Sequence, residues 1–526
     1  MGIWPTPGGR EDSESHFRTI PRLACEDAAS AAPDPTLVKV AFVTPELQQL
    51  VRRTNLASVA QDLARHLRAA GSDTRVFIPW TVQLNVEVLG EIEELPSIQV
   101  PDPEAPQTFR LHQAKLGELP IYLFDHPRFF EGKNPYGNEQ GPYTDNWRRY
   151  ACFARAVLAS FPQLDFAPDV IHVMDWTGGI LPLIHKIEYL DKPSDHPASR
   201  AGTFLSVHNL AMQGQFEREV LARMGIPHEY FRSIEGVELA GKVNFLKTGA
   251  EFATVVGTHS PYHAQVIQTR DRGYGLEDTF ERRKKELIGI HNGIDYQAWD
   301  PSKDALLPAK FDAKDPSGKK ECKRALQAAL NLDVDANALL ACHIGRWDAD
   351  SGFDLLSEIM APALERDVEL IVMGAGGEDL AKRLRTMETT FVGRMRVIQG
   401  YDAAAAHRLM GGSDVMLLPS HYQPSNPLFG IALRYGVAPI VYAQSGLEHA
   451  VRDIDESPTE GLGFHFAPYT GDGLLAATLR AAEMLGNEKK WSTLVKRCLA
   501  QDFSWEHSAD EYIKAYRRVT RRIRGR

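Results

Sequence analysis

Two adjacent arginines, Arg52 and Arg53, sit between the short apolar run Val40–Val43 and a helical pattern that begins at Leu56. A cationic loop joining a strand to a helix is where an open α/β sheet places an anionic ligand, because the first amides of the helix point into it. Gly374, Ala375, Gly376 and Gly377 follow a second apolar run that ends at Met373. Glycines in such a turn let backbone amides approach a phosphate, although a Gly-x-Gly turn alone is weak evidence. A third run, Val415–Leu418, leads into a turn carrying Gln423. His208, taken alone, reads most simply as a satisfied core side chain. The chemistry these residue types suit is stabilisation of a charged leaving group by fixed cations and amides.

Such groups act only if the fold brings them together. After Val40–Val43, the residues Leu56, Val59, Ala60, Leu63 and Leu67 recur at helical spacing up to Gly71, and Arg75–Pro79 supplies the next strand. Strand, loop, helix and strand in that order make the unit of a parallel doubly wound sheet. Further strands are expected at Ile121–Phe124, Val170–Val173, Thr203–Ser206 and Ala253–Val256. A second series follows at Leu339–Ile344, Val368–Met373, Met395–Ile398, Val415–Leu418 and Pro439–Val441. The fold class is therefore α/β, with two Rossmann-like doubly wound lobes and the working cleft between them.

Composition bounds the function. The 526 residues are too many for one ordinary domain, and 43% hydrophobic with 24% charged residues is typical of a globular chain. A net charge of −10 argues against a nucleic-acid partner, and the basic stretch Arg517–Arg526 reads as the solvated end of a helix. Five scattered cysteines without CxxC spacing indicate neither a zinc site nor a disulfide framework, so no metal is expected and a reducing compartment is. No apolar run is long enough to span a membrane, and the opening residues lack the order of a secretion signal, so a cytoplasmic location is expected. Residues 1–37 read as a flexible extension, 38–295 as the first lobe, 296–500 as the second, and 501–526 as a terminal helix.

Several ordered stretches carry a family resemblance: "NPYGNEQGPYTDNWRRYACFARA" from Asn134, "PDVIHVMDW" from Pro168, "VHNLAMQGQF" from Val207, "GKVNFLKTGAEFATVVGTHSPYHAQVIQT" from Gly241, "GYGLE" from Gly273, "HNGIDYQAWDP" from His291, and later "ALRYG" and "FSWEHSADEY". From about Lys39 to Arg518 the chain resembles bacterial glycogen synthases and plant starch synthases, retaining glucosyltransferases of the two-lobed GT-B fold. The resemblance implies an α-glucan acceptor, a sugar nucleotide donor (ADP-glucose foremost), no cofactor, and a final helix that crosses back onto the first lobe.

It also implies a site. The family's Lys-Thr-Gly-Gly-Leu loop is Arg52-Arg53-Thr54-Asn55-Leu56 here, so Arg52 and Asn55 fall at donor positions while both glycines are replaced. Its Ser-Arg-Leu-x-x-x-Lys-Gly stretch is Gly345–Gly352, which keeps Arg346 but has Ser351 in place of lysine and adds Asp348 and Asp350. Its Phe-Glu-Pro-Cys-Gly-Leu-Thr-Gln loop is Tyr422–Phe429, with Gln423 for glutamate, Pro427 without an amide and Leu428 for a hydroxyl. Gln423 can bond a sugar hydroxyl but lacks the charge that strengthens such bonds about twofold. Gly374, Gly376 and Gly446 complete the donor set, and His208, Arg346 and Gln423 are the catalytic candidates. Asp175 and Trp176 match the acceptor-side Asp-Trp-His, with Thr177 for histidine, and Tyr136 and Tyr143 are further acceptor candidates; Trp176 would stack on a glucan ring or pack in the core. Three readings stay open: a glucan synthase, a noncatalytic relative that binds glucan or a protein partner and regulates glucan metabolism, and a transferase with a changed donor.

Overall fold

The computed structural model describes residues 37–525 except 83, 193, 424 and 425. Of the extension read over residues 1–37, all but the last residue lie outside the described residues.

The first sheet has nine strands: β1 Lys39–Val43, β2 Asp73–Pro79, β3 Glu93–Val100, β4 Gln107–Leu116, β5 Leu119–Asp125, β6 Val170–Met174, β7 Gly202–Val207, β8 Val255–Thr258 and β9 Leu287–Gly289. Their order is β9-β8-β7-β6-β1-β2-β5-β4-β3. From β9 to β5 all pairs are parallel, and Val40, Phe42, Val76, Ile78, Ile171 and Val173 are fully buried because helices cover both faces. The sheet departs from an all-parallel expectation at its edge, where β5, β4 and β3 run antiparallel. β3 carries Pro96 and an irregular register between Leu95 and Ile98, features tolerated at an edge and easily read as loop.

The second sheet is wholly parallel: β10 Leu339–Trp347, β11 Val368–Gly376, β12 Met395–Gln399, β13 Val415–Leu418, β14 Ala438–Tyr442 and β15 Phe464–Phe466, ordered β12-β11-β10-β13-β14-β15. Each sheet reverses its winding once, between β1 and β6 in the first and between β10 and β13 in the second. Ligands of open α/β sheets bind at the carboxyl ends of strands beside such a reversal.

Helix α1, Leu56–Ala69, buries Ala60, Leu63, Ala64 and Leu67 against the first sheet. The last helix, α3, Trp505–Arg524, returns to the same lobe. Its Tyr512, Tyr516 and Val519 join that core, and the Tyr516 hydroxyl meets His172 Nδ1 at 2.6 Å. The chain thus crosses between lobes twice, and the crossings lie side by side: Ile294 N donates to Phe503 O, and Trp505 N to Ile294 O. Arg522, in the basic tail, is not merely solvated but pairs with Glu286.

Candidate functional site

Strand ends from both lobes converge on one cleft, and three aromatic contacts close it: the Arg272 guanidinium lies 3.7 Å from the Tyr422 ring centre, Tyr262 packs on His449 at 4.6 Å, and His291 meets Phe429 edge-on at 6.4 Å.

At the first reversal, the loop after β1 is organised by Glu46, a fully buried carboxylate. It accepts from the Arg53 amide at 2.6 Å, the Thr54 amide at 3.0 Å, the Thr54 hydroxyl at 2.5 Å and the Tyr136 hydroxyl at 2.6 Å. Two amides of the candidate phosphate loop are therefore engaged internally. Arg52 and Asn55 are exposed, and Asn55 precedes α1 without capping it through its side chain. Tyr136 ends with its hydroxyl on Glu46, and burial together with that carboxylate raises its pKa well above the usual phenol value. The Tyr143 hydroxyl instead accepts from the Asn134 amide, fixing the 134–143 loop.

Asp175 follows β6 in the left-handed region at φ 48°, a conformation that costs an L-residue about 1–2 kcal/mol. Its Oδ1 accepts the amides of His208 at 2.7 Å and Asn209 at 3.2 Å, so it shapes the loop after β7. Burial pushes its carboxyl up to about 7, against the lowering pull of those amides. His208 is held near 3 by burial and by neighbouring His259, and is neutral at physiological pH. Trp176 is 6% exposed and enclosed by Tyr136, Tyr150 and Phe216, and a Cβ on Gly214 would come within 2.4 Å of its ring. Of the two readings, stacking on a glucan ring or packing in the core, this geometry favours packing, because the loop carrying Gly214 lies on the indole.

At the second reversal, Arg346 lies near the carboxyl end of β10, has a side chain 72% exposed, and pairs with Asp348 at 3.3 Å. Asp348 also accepts the Ser351 amide at 2.9 Å, which builds the short turn Ala349–Ser351. Gly352 closes that turn at φ 71°, and a Cβ there would lie 2.2 Å from Pro419 O, which is why the two strand-end loops can touch. Gly374 and Gly376 have a packing reason: Cβ atoms there would meet Gly345 O at 1.8 Å and Trp347 Cβ at 2.7 Å. The Gln423 amide donates to Ser445 O at 2.7 Å, tying two candidate donor loops together. Helix α2, Pro427–Arg434, is capped by Asn426 Oδ1, which takes the Leu428 amide at 2.8 Å. The Gly446 amide donates to Glu448 Oε2 at 2.5 Å.

The structure thus gathers Arg52, Asn55, Tyr136, Tyr143, Asp175 and His208 on the first-lobe wall, and Arg346, Ser351, Gln423, Leu428 and Gly446 on the second. Sequence reasoning missed Glu46, Arg272, His259 and Glu448. Glu46 had one available signal, a lone acidic residue in the otherwise uncharged stretch between β1 and Arg52. Among the described residues no group of three or more His, Cys, Asp or Glu is placed to hold a metal, and no helix is long and apolar enough to cross a membrane.

Residues 39–282 match the model of the starch synthase catalytic domain. A glycogen synthase from Geotalea uraniireducens is 34% identical over 480 residues, covering 91% of this chain and 98% of that one. This chain belongs to the glycogen and starch synthase family. Another member, a glycogen synthase from Moorella thermoacetica, is also 34% identical, covering 93% of this chain and 98% of its own. The catalytic domain of starch synthase IV from Arabidopsis thaliana, solved with ADP and acarbose, superposes with a TM-score of 0.76 at 27% identity, covering 92% of this chain and 99% of that domain. A sucrose-phosphate synthase from Thermosynechococcus elongatus, at TM-score 0.53 and 15% identity, shares the fold. The chain is thus a GT-B protein of the glycosyltransferase class. In its strand-end loops, the amides of Arg53, Thr54, Leu428 and Gly446 donate to side chains of the same chain.

Proposed function

We propose that this protein is a cytoplasmic member of the glycogen and starch synthase family that binds an α-glucan end in its cleft and transfers glucose from ADP-glucose far more slowly than the family chemistry permits. One observation carries the reading: amides that would meet the donor's diphosphate already donate to Glu46, Asn426 and Glu448. Glu46 and Glu448 are largely buried carboxylates, so a diphosphate would meet negative charge where the reaction needs positive. Ser351 supplies no cation, and Gln423 supplies no charge to an oxocarbenium-like centre. Loss of one such stabilising group costs about 3–4 kcal/mol, or a hundredfold or more in rate. These losses do not simply multiply, because residues of one site act together. The intact strand-end framework around Asp175 and His208 supports retention of sugar binding.

Calorimetric titration with maltotriose, ADP and ADP-glucose, paired with incorporation of labelled glucose into glycogen, tests the reading. Maltotriose binding with weak ADP binding and only slow incorporation is the expected result. Rapid incorporation from ADP-glucose overturns it. Arg272 favours a second reading, a changed donor, since it brings a first-lobe cation beside Gln423. Incorporation from another sugar nucleotide, abolished by Arg272→Ala, would select that reading.

A further inference from the structure

Three neighbouring strands of the first sheet each end in a histidine. His208 directly follows β7, His259 directly follows β8, and His291 lies two residues beyond β9. These strands are adjacent and parallel, with Val207 opposite Thr258 and Thr258 opposite Gly289, so the histidines line one edge of the crevice. His291 reaches Phe429 of the second lobe, which places the row under the cleft.

The middle ring is the unusual one. His259 is 8% exposed and stacks on His263 at 3.9 Å, with His208 6.3 Å away on a nearly parallel plane. His263 is fixed by a 2.5 Å hydrogen bond between its Nδ1 and the Thr258 hydroxyl. By contrast, His259 Nδ1 and His208 Nε2 are both buried without a hydrogen-bond partner among the described residues, and Asn292 Oδ1, just past His291, shares that condition. Leaving a buried polar group unmatched is unfavourable, and such groups call for an explanation wherever they occur. Here three of them follow the ends of three adjacent strands.

Burial holds His259 near 4 and His208 near 3, so both rings are neutral. Neutral imidazoles each carry one donor and one acceptor, which suits hydroxyl groups and supplies no positive charge to a phosphate. We propose that His259 is a sugar-binding residue which, beside His208, forms an uncharged floor of the cleft that hydrogen-bonds the hydroxyls of a neutral hexosyl ring. The inference rests on the glucan-binding reading above and adds to it a residue and a ligand chemistry. It accounts for a cleft whose loop amides are engaged internally while nitrogens of its strand-end histidines are not.

The test titrates maltotriose and, separately, ADP into the full chain and two variants. His259→Leu keeps bulk but removes both ring nitrogens, whereas His259→Asn places an amide atom near the position of Nδ1. The expected result is maltotriose binding weakened about tenfold in the leucine variant, restored to within about threefold in the asparagine variant, and ADP behaviour the same in all three. Equal maltotriose affinity in His259→Leu and the unsubstituted protein overturns the proposal and leaves the glucan-binding reading standing. No maltotriose binding by the unsubstituted protein overturns both. Should the leucine variant not fold, the ring-nitrogen resonances of 15N-histidine-labelled protein decide: those of His259 shift with maltotriose and not with ADP, and the absence of a shift overturns the proposal.

Discussion

Replacing Glu448 by alanine should tighten ADP binding by at least about tenfold. In the native chain the Gly446 amide donates to Glu448 Oε2 at 2.5 Å, and the carboxylate side chain is only 13% exposed. A hydrogen bond to a charged group contributes about 1.5–3 kcal/mol net, and a diphosphate taking that amide must first displace it. At about 1.4 kcal/mol per decade, this alone is about 10- to 150-fold in affinity. The displaced carboxylate would also face the diphosphate; at about 5 Å and an effective dielectric constant of about 20, each pair of unit charges opposes binding by about 3 kcal/mol. Deleting the side chain removes both contributions, so the tenfold figure is a lower bound at low ionic strength. Glu448→Gln separates them, since it keeps an acceptor and loses the charge, and its affinity should fall between the other two. Isothermal titration of ADP at about 0.05 and 0.5 M salt reads both, with the advantage of alanine over glutamine shrinking less with salt than the advantage of glutamine over glutamate. ADP affinities within twofold across all three proteins would refute the claim that Glu448 stands in the phosphate position.

Adding Ser351→Lys, Gln423→Glu and Thr54→Gly with Asn55→Gly to Glu448→Ala should raise labelled-glucose incorporation above that of any single change; no gain would mean these positions do not form the donor site. Asp175 predicts a pH dependence of stability. Its folded pKa, about 7, lies above the ordinary 3.8, so the native state keeps a proton that the unfolded chain loses, and stability falls as pH rises from about 4 to 7. Asp175→Asn retains an acceptor for the His208 and Asn209 amides and should therefore gain on the native chain by a few kcal/mol in urea unfolding between pH 4.5 and 7.5; parallel pH profiles would contradict the buried carboxyl. Trp176→Ala should lower stability by about 3–5 kcal/mol, as expected for emptying an enclosed aromatic site. A change confined to maltotriose affinity, with the unfolding midpoint unmoved, would restore the stacking role. Tyr516→Phe, which strips His172 Nδ1 of its partner at 2.6 Å, should cost about 1–3 kcal/mol, measured by the same unfolding.

The sequence by itself determined the two sheets and the family. Strands buried on both faces must be continuous apolar runs, and Val40–Val43, Val170–Val173, Leu339–Ile344 and Val415–Leu418 are such runs whatever surrounds them. It also located the cleft loops, since strand-to-helix turns with Arg52, Arg346 and Gln423 are local features. The edge strands β3 and β4 were not legible, because their half-exposed alternation and Pro96 lack that signal. What only the tertiary structure decided is which polar group satisfies which. Glu46 and Tyr136 are 90 residues apart and meet because β1 lies beside the strand-reversal crevice. Trp176 loses its faces to Tyr150 and Gly214, and His208 and His259 become neighbours only when β7 pairs with β8. Residue types fix what each group can donate or accept; the pairing of distant strands fixes whether it has already done so, and a sequence carries no local trace of that choice.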